Sequence, residues 1–135
     1  INAGTGKLKT AGIDESSDVR LKKNIAPISS ALEKVLAMRG VTYDWRKDEF
    51  PGNHFEEGKQ YGLIAQELEK IIPELVTTDD KGFKAIQYSH IVPVLIEAIK
   101  ELKATVTTQA STIDQLNQRI ARVEAGSGVI DLSKK

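Results

Sequence analysis

Ser17 and Lys22 stand five positions apart in the run Ser16-Ser17-Asp18-Val19-Arg20-Leu21-Lys22-Lys23-Asn24-Ile25. A serine hydroxyl becomes a nucleophile when a neighbouring base takes its proton, and a lysine can be that base once burial or nearby positive charge favours its neutral form. The pair therefore has the composition of a hydrolytic dyad. The same residues also have a plain structural account. Ser17 caps a short helix, Asp18 sits at its positive end and pairs with Lys22, and Arg20 is a surface cation. Geometry separates the two accounts. A helix would set Ser17 and Lys22 about 140° apart around its axis, so a working dyad requires a turn between them.

Other chemistry is poorly supplied. His54 and His90 are the only histidines, and cysteine is absent, so thiolate metal sites and disulfides are excluded and no metal or Ser/His/Asp spacing is suggested. A lysine base is the better candidate in a hydrolase of this composition. Glu67, beside Gln66 on a helical stripe, has no independent support as a general acid. His54 reads as solvated. Nineteen basic and nineteen acidic residues leave no net charge, which removes the broad electrostatic case for nucleic acid or an anionic membrane. No apolar run reaches membrane-span length, and there is no secretion signal. The chain starts at Ile1, which reads as a fragment of a longer polypeptide.

The elements that must position the pair follow from patterning. At 135 residues the chain suits one modest domain. Ile1 to Ser16 is polar and glycine-punctuated, the end of a preceding extended or β-rich region or a linker. Ser30 with Glu33 predicts a capping box for a helix through Met38, stopped by Gly40. Val41 to Trp45 alternates as a strand, with Tyr43 and Trp45 on one core-facing side. Asp48 to Gln60 is a polar excursion, and Tyr61 to Ile72 has helical spacing closed by Pro73. Leu75 to Thr78 and Phe83 to Tyr88 flank a hairpin turn at Asp79-Asp80-Lys81-Gly82.

From Ser89 to Glu124 the pattern is a heptad repeat. With Ile99 at position a, that position holds Val92, Ile99, Val106, Ile113 and Ile120, and position d holds Leu95, Leu102, Gln109, Leu116 and Val123. Such a helix runs roughly 50 Å and must pack on copies of itself or on a partner. Branched a residues with Leu at d favour two strands, whereas small Ala98, Thr105, Ala110 and Thr112 at e and g suit three. Gln109 is a buried polar layer that fixes register at some cost in stability, and Arg119 with Glu124 has the g-to-e spacing of a parallel pair. Heptads alone leave dimer and trimer open.

Taken in order, S-D-V-R-L-K-K-N-I, M-R-G, V-T-Y-D-W, Y-G-L-I-A-Q-E-L-E-K-I-I-P-E-L-V and Y-S-H-I-V-P-V-L-I-E-A-I-K-E-L closely resemble one family. It is the self-cleaving intramolecular chaperone domain at the C-termini of bacteriophage tail spikes, tail fibres and neck appendages, related to a domain of myelin regulatory factor. The resemblance implies an α+β fold, a small globular domain of short strands and helices followed by a long helix in a parallel trimeric coiled coil. It implies a homotrimer that helps a preceding β-rich fibre segment of the same polypeptide to fold and then cuts itself free. The precursor would be made in a host cytoplasm, with the fibre bound for the virion. The motif maps onto Ser17 as nucleophile and Lys22 as base, with Asp18 and Arg20 in support and Ser16–Ser17 as the bond cut.

On that reading residues 1–16 are the released end of the fibre, 17–88 the globular chaperone and autoprotease domain, 89–124 the coiled-coil helix and 125–135 a tail. The excursion Asp48 to Gln60 resembles the family's protruding arms, which hold the fibre segment. No cofactor, metal, nucleic acid, membrane or small-molecule substrate is called for. The alternative is a non-catalytic trimerisation or adaptor module in which the S-D-V-R-L-K run is only a hinge.

Overall fold

The computed structural model describes residues 9–10, 13–14 and 16–126. Among the described residues three small antiparallel ladders and three α-helices follow in the order β1 (Lys9–Thr10), β2 (Ile13–Asp14), α1 (Ala31–Ala37), β3 (Val41–Tyr43), β4 (Gln60–Gly62), α2 (Ala65–Leu68), β5 (Val76–Thr78), β6 (Lys84–Ile86) and α3 (Ile91–Gly126). The class is α+β, as the family resemblance implies.

The hairpin β5–β6 forms where its turn chemistry points. The Asp79 carboxylate accepts from the backbone N–H groups of Lys81 and Phe83 at 2.9 and 2.8 Å, and Gly82 takes φ 86°, a conformation that favours glycine. β3 pairs with β4 from Val41 opposite Gly62 to Tyr43 opposite Gln60. Here the helical expectation for Tyr61 to Ile72 is corrected: its first residues are strand, and α2 proper is four residues long. The Tyr88 hydroxyl accepts from the Leu63 N–H at 2.9 Å, and a Cβ on Gly62 would stand 2.6 Å from that hydroxyl oxygen. Glycine at 62 thus lets the backbone close on Tyr88.

Two other expectations are revised. Ser30 sits at φ 52° and makes no capping bond, so the Ser30–Glu33 box does not form. The exposed N–H groups of α1 are satisfied instead from across the chain, where the Glu101 carboxylate accepts from Ala31 and Leu32 at 2.9 Å each. Trp45 lies beyond the end of β3 and is 40 % exposed. It packs edge-to-face on Tyr43 and stacks on Phe55 of the excursion at 4.3 Å, while Phe50 meets Phe83 edge-on.

The core gathers on the first turns of α3. Ala31, Val94 and Ala98 are buried together under Ile28, Leu32, Val35 and Ile72. Leu68, Leu75 and Ile91 form a second cluster with Met38, Leu63, Val76 and Ile86. In the heptad frame Ile91 and Ala98 are g residues and Val94 and Glu101 are c residues, so the globular part grips one flank of the helix. The a and d residues stay outside. Val92, Leu95, Ile99, Leu102, Val106, Ile113, Leu116, Ile120 and Val123 are all exposed. The tail beyond Gly126 lies outside the described residues.

Candidate active site

Residues 17–22 fold as a turn, which the dyad requires and the helical account does not allow. Asp18 is extended, Val19–Leu21 make a single 3₁₀ turn, and Lys22 is extended again at φ −110°. The Asp18 carboxylate accepts from the backbone N–H of Arg20 at 2.9 Å and so caps the turn. The backbone N–H groups of Leu21 and Lys22 donate to the carbonyls of Asp18 and Val19. Two residues on, Asn24 takes φ 54°, a left-handed conformation that asparagine tolerates better than most residues.

This short loop brings the pair together. Lys22 Nζ donates to Ser17 Oγ at 2.7 Å. The contact is within the range of a nucleophile–base hydrogen bond, and with a neutral amine its direction reverses, the hydroxyl donating its proton to Nζ.

Asp18 and Arg20 pair with each other. Arg20 Nε donates to one carboxylate oxygen at 2.9 Å and a terminal nitrogen donates to the other at 2.6 Å. This two-pronged bond replaces the expected Asp18–Lys22 ion pair and leaves Lys22 for Ser17. The Arg20 guanidinium holds the Asp18 carboxyl below its ordinary value, and Asp18 in turn raises Arg20. Arg20 is therefore occupied in bracing the turn, and Asp18 keeps its negative charge through the neutral range.

Every residue from Ser16 to Pro27 is exposed in the single chain, Ser17 and Lys22 included. Burial favours a neutral amine, and this loop lacks it in the single chain.

Glu67 has a different place from any catalytic one. Its carboxylate is bound by Arg39 at the end of α1, with contacts of 2.5 and 3.2 Å, and the guanidinium holds it below its ordinary value. It ties α2 to α1 as a carboxylate. Arg39, Glu101 and Tyr88 were silent in the sequence, since each acts on a group 25 to 70 positions away. Their only signal was a polar residue beside an apolar stripe. No group of His, Asp or Glu capable of holding a metal ion occurs among the described residues, and no helix there is long and apolar enough to cross a membrane.

The aromatic excursion shapes one wide recess. Trp45, Phe50, Phe55 and Phe83 line it with Arg46, Lys81 and Lys84, enclosing about 1070 Å³ open to solvent.

Residues 17–77 match a peptidase family described as the chaperone of endosialidase. Over 94 residues the chain is 43 % identical to the long tail fiber protein Gp37 of Enterobacteria phage K3, a stretch covering 67 % of this chain and 7 % of that protein. The Gp37 of Enterobacteria phage T2 gives the same identity and coverage. That of Enterobacteria phage M1 is 37 % identical over 90 residues, 64 % of this chain and 35 % of the relative. The chain thus spans a small fraction of the fibre proteins it resembles.

Proposed function

We propose that this chain, whose residues 17–77 match a family described as the chaperone of endosialidase, assembles as a parallel homotrimer, assists folding of a preceding β-rich fibre segment, and then releases itself by cutting Ser16–Ser17. The observation that carries the reading is the 2.7 Å hydrogen bond from Lys22 Nζ to Ser17 Oγ. The tail-fiber relatives support the fibre as client, and the exposed a and d residues of α3 support self-association through that stripe.

The step balances on the chain's own atoms. Ser17 Oγ attacks the Ser16 carbonyl carbon as its proton passes to neutral Lys22 Nζ. The bond from that carbon to the Ser17 nitrogen then breaks, and the nitrogen takes the proton from Lys22. This leaves an ester between the Ser16 carbonyl and Ser17 Oγ with a free Ser17 amine. Water hydrolyses the ester, releasing residues 1–16 with a new carboxyl terminus. Attack gains from fixed proximity, since the nucleophile is bonded to the residue it attacks. Asp18 and Arg20 hold the turn that aims Lys22. No cofactor enters.

The test is the intact mass of the assembled chain over time. The parent loses residues 1–16, whereas Ser17→Ala and Lys22→Ala assemble and stay whole. A parent that remains uncut as a verified trimer, or a Ser17→Ala chain that still cuts, overturns the reading. The non-catalytic module predicts assembly with no mass change in any variant.

A further inference from the structure

One polar layer interrupts the apolar stripe of α3, and its hydrogen-bonding capacity does not close on itself. Gln109 occupies position d between the a residues Val106 and Ile113, and all three are exposed in the single chain. The helix is continuous through this stretch. Between Leu102 and Ile113 the only a and d residues are Val106 and Gln109. The flanks are small or polar, with Thr105 and Thr112 at g and Ala110 at e.

We propose that the Gln109 layer of the assembled helices binds one small anion of the halide class on the shared axis, held by amide N–H groups from three copies. The inference rests on the parallel homotrimer proposed above and is independent of cleavage. Packing brings the three amides together. Helices about 10 Å apart have their axes about 6 Å from a common centre. With Cα atoms about 2.3 Å out from each helix axis, an inward d residue starts about 4 Å from that centre. A glutamine side chain spans that distance, so the three amides meet at the axis.

The donor count then decides what sits there. Each primary amide has two N–H donors and one carbonyl oxygen. A closed ring of three amides pairs three N–H groups with three carbonyls and leaves three N–H groups over. The Val106 and Ile113 side chains above and below supply no acceptor. Thr105 and Thr112 lie to the side, and their hydroxyl protons are already spent on their own helix. Thr105 Oγ1 donates to the Glu101 carbonyl at 3.1 Å, and Thr112 Oγ1 to the Thr108 carbonyl at 3.0 Å. The axis is therefore rich in donors, and a buried N–H left without an acceptor is costly. A water there would bring two further hydrogens to place between apolar layers. A halide brings none and accepts from all three copies at once. Burying its charge is offset by those N–H bonds, which a full negative charge strengthens. The third copy creates this point on the axis, so the ion favours three strands where the heptads alone allow two.

The test uses the Ser17→Ala chain, kept whole, with its assembly state measured first by sedimentation. Thermal melting of α3 is followed in sodium bromide and in sodium sulfate at equal ionic strength, with Gln109 intact and in Gln109→Leu and Gln109→Asn. General salt effects on burial act on all three chains alike. Bromide is expected to raise the midpoint of the Gln109 chain by several degrees relative to Gln109→Leu, increasing with concentration as for one site. Gln109→Asn keeps the amide and keeps the bromide effect. Crystals grown with bromide are expected to show anomalous scattering on the threefold axis at the level of Gln109. An equal bromide response in Gln109 and Gln109→Leu overturns the proposal. So does a trimer whose axis holds no bromide, its amides closed by one another or by water, and bromide found elsewhere is then an adventitious ion only. Either result leaves the trimer standing. A dimer in sedimentation overturns the trimer reading and the site with it.

Discussion

The first turns of α3 and the turns beyond them are built from similar apolar residues but satisfy them in different places. From Ile91 to Glu101 the helix carries two stripes. Ile91, Val94 and Ala98 are buried against α1, α2 and the β5–β6 hairpin, while Val92, Leu95 and Ile99 beside them stay exposed. From Leu102 onward only the exposed a/d stripe continues. One end of the helix therefore completes a fold within the chain, and the other carries an apolar face that the described residues leave exposed. The same division runs through the globular part, where core and ladders are satisfied internally but the dyad loop is not.

The largest effect should come from attacking the outer stripe alone. Leu102→Asp or Ile113→Asp places charge in an apolar layer and should abolish self-association in sedimentation, and cutting with it. The fold of residues 28–98 should persist by near-ultraviolet circular dichroism. Loss of that signal would show that the two stripes are not independent.

Attacking the inner stripe should do the reverse. Val94→Ala opens a cavity beneath Ala31 and should cost about 1–3 kcal/mol in urea unfolding of the globular part, with α3 still associating. Glu101→Ala, which strips both N–H groups of α1 of their acceptor, should cost about 1–2 kcal/mol by the same measurement. Glu101→Gln should recover part of it, because one oxygen still accepts.

Gln109 sharpens the outer half. Gln109→Leu should raise the thermal midpoint of the associated helix modestly while loosening its register, read as a broader distribution of assembly states in native mass spectrometry. A lower midpoint would mean that the glutamine layer is bonded well enough to stabilise.

The smallest effect concerns the two surface pairs. Asp18 and Glu67 both have carboxyls lowered by arginine. Each pair therefore contributes fully above the ordinary carboxylate range and is lost as pH falls through the lowered value. Carboxyl titration by NMR should show both residues protonating below an exposed Asp or Glu, and the turn at 19–21 loosening only then. Both carboxyls are solvent-exposed, so salt should weaken the pairs.

Legibility followed the range of the interactions. The hairpin turn at Asp79 to Gly82 could be read because its Asp and Gly act on their own neighbours. The heptads could be read because period survives any context, and Pro93 falls where a helix tolerates it. The Ser17–Lys22 contact was legible only as a condition, that a turn intervene, and Asp18 meets it by capping Arg20. The inner stripe of α3 was hidden because 91, 94 and 98 interleave with 92, 95 and 99 in one apolar run. Tyr61 and Gly62 read as helix because nothing local announces that Gly62 must admit the hydroxyl of Tyr88. Ser30 followed by Glu33 has the pattern of a capping box, but a carboxylate seventy positions away wins the N–H groups.

The link between assembly and cutting is tested most directly by following release of residues 1–16 across a dilution series that spans the assembly midpoint. The predicted result is a cleavage rate per chain that rises and saturates with the assembled fraction measured in the same samples. A rate that stays constant when the chains are dispersed would show that one copy suffices, and would contradict the account.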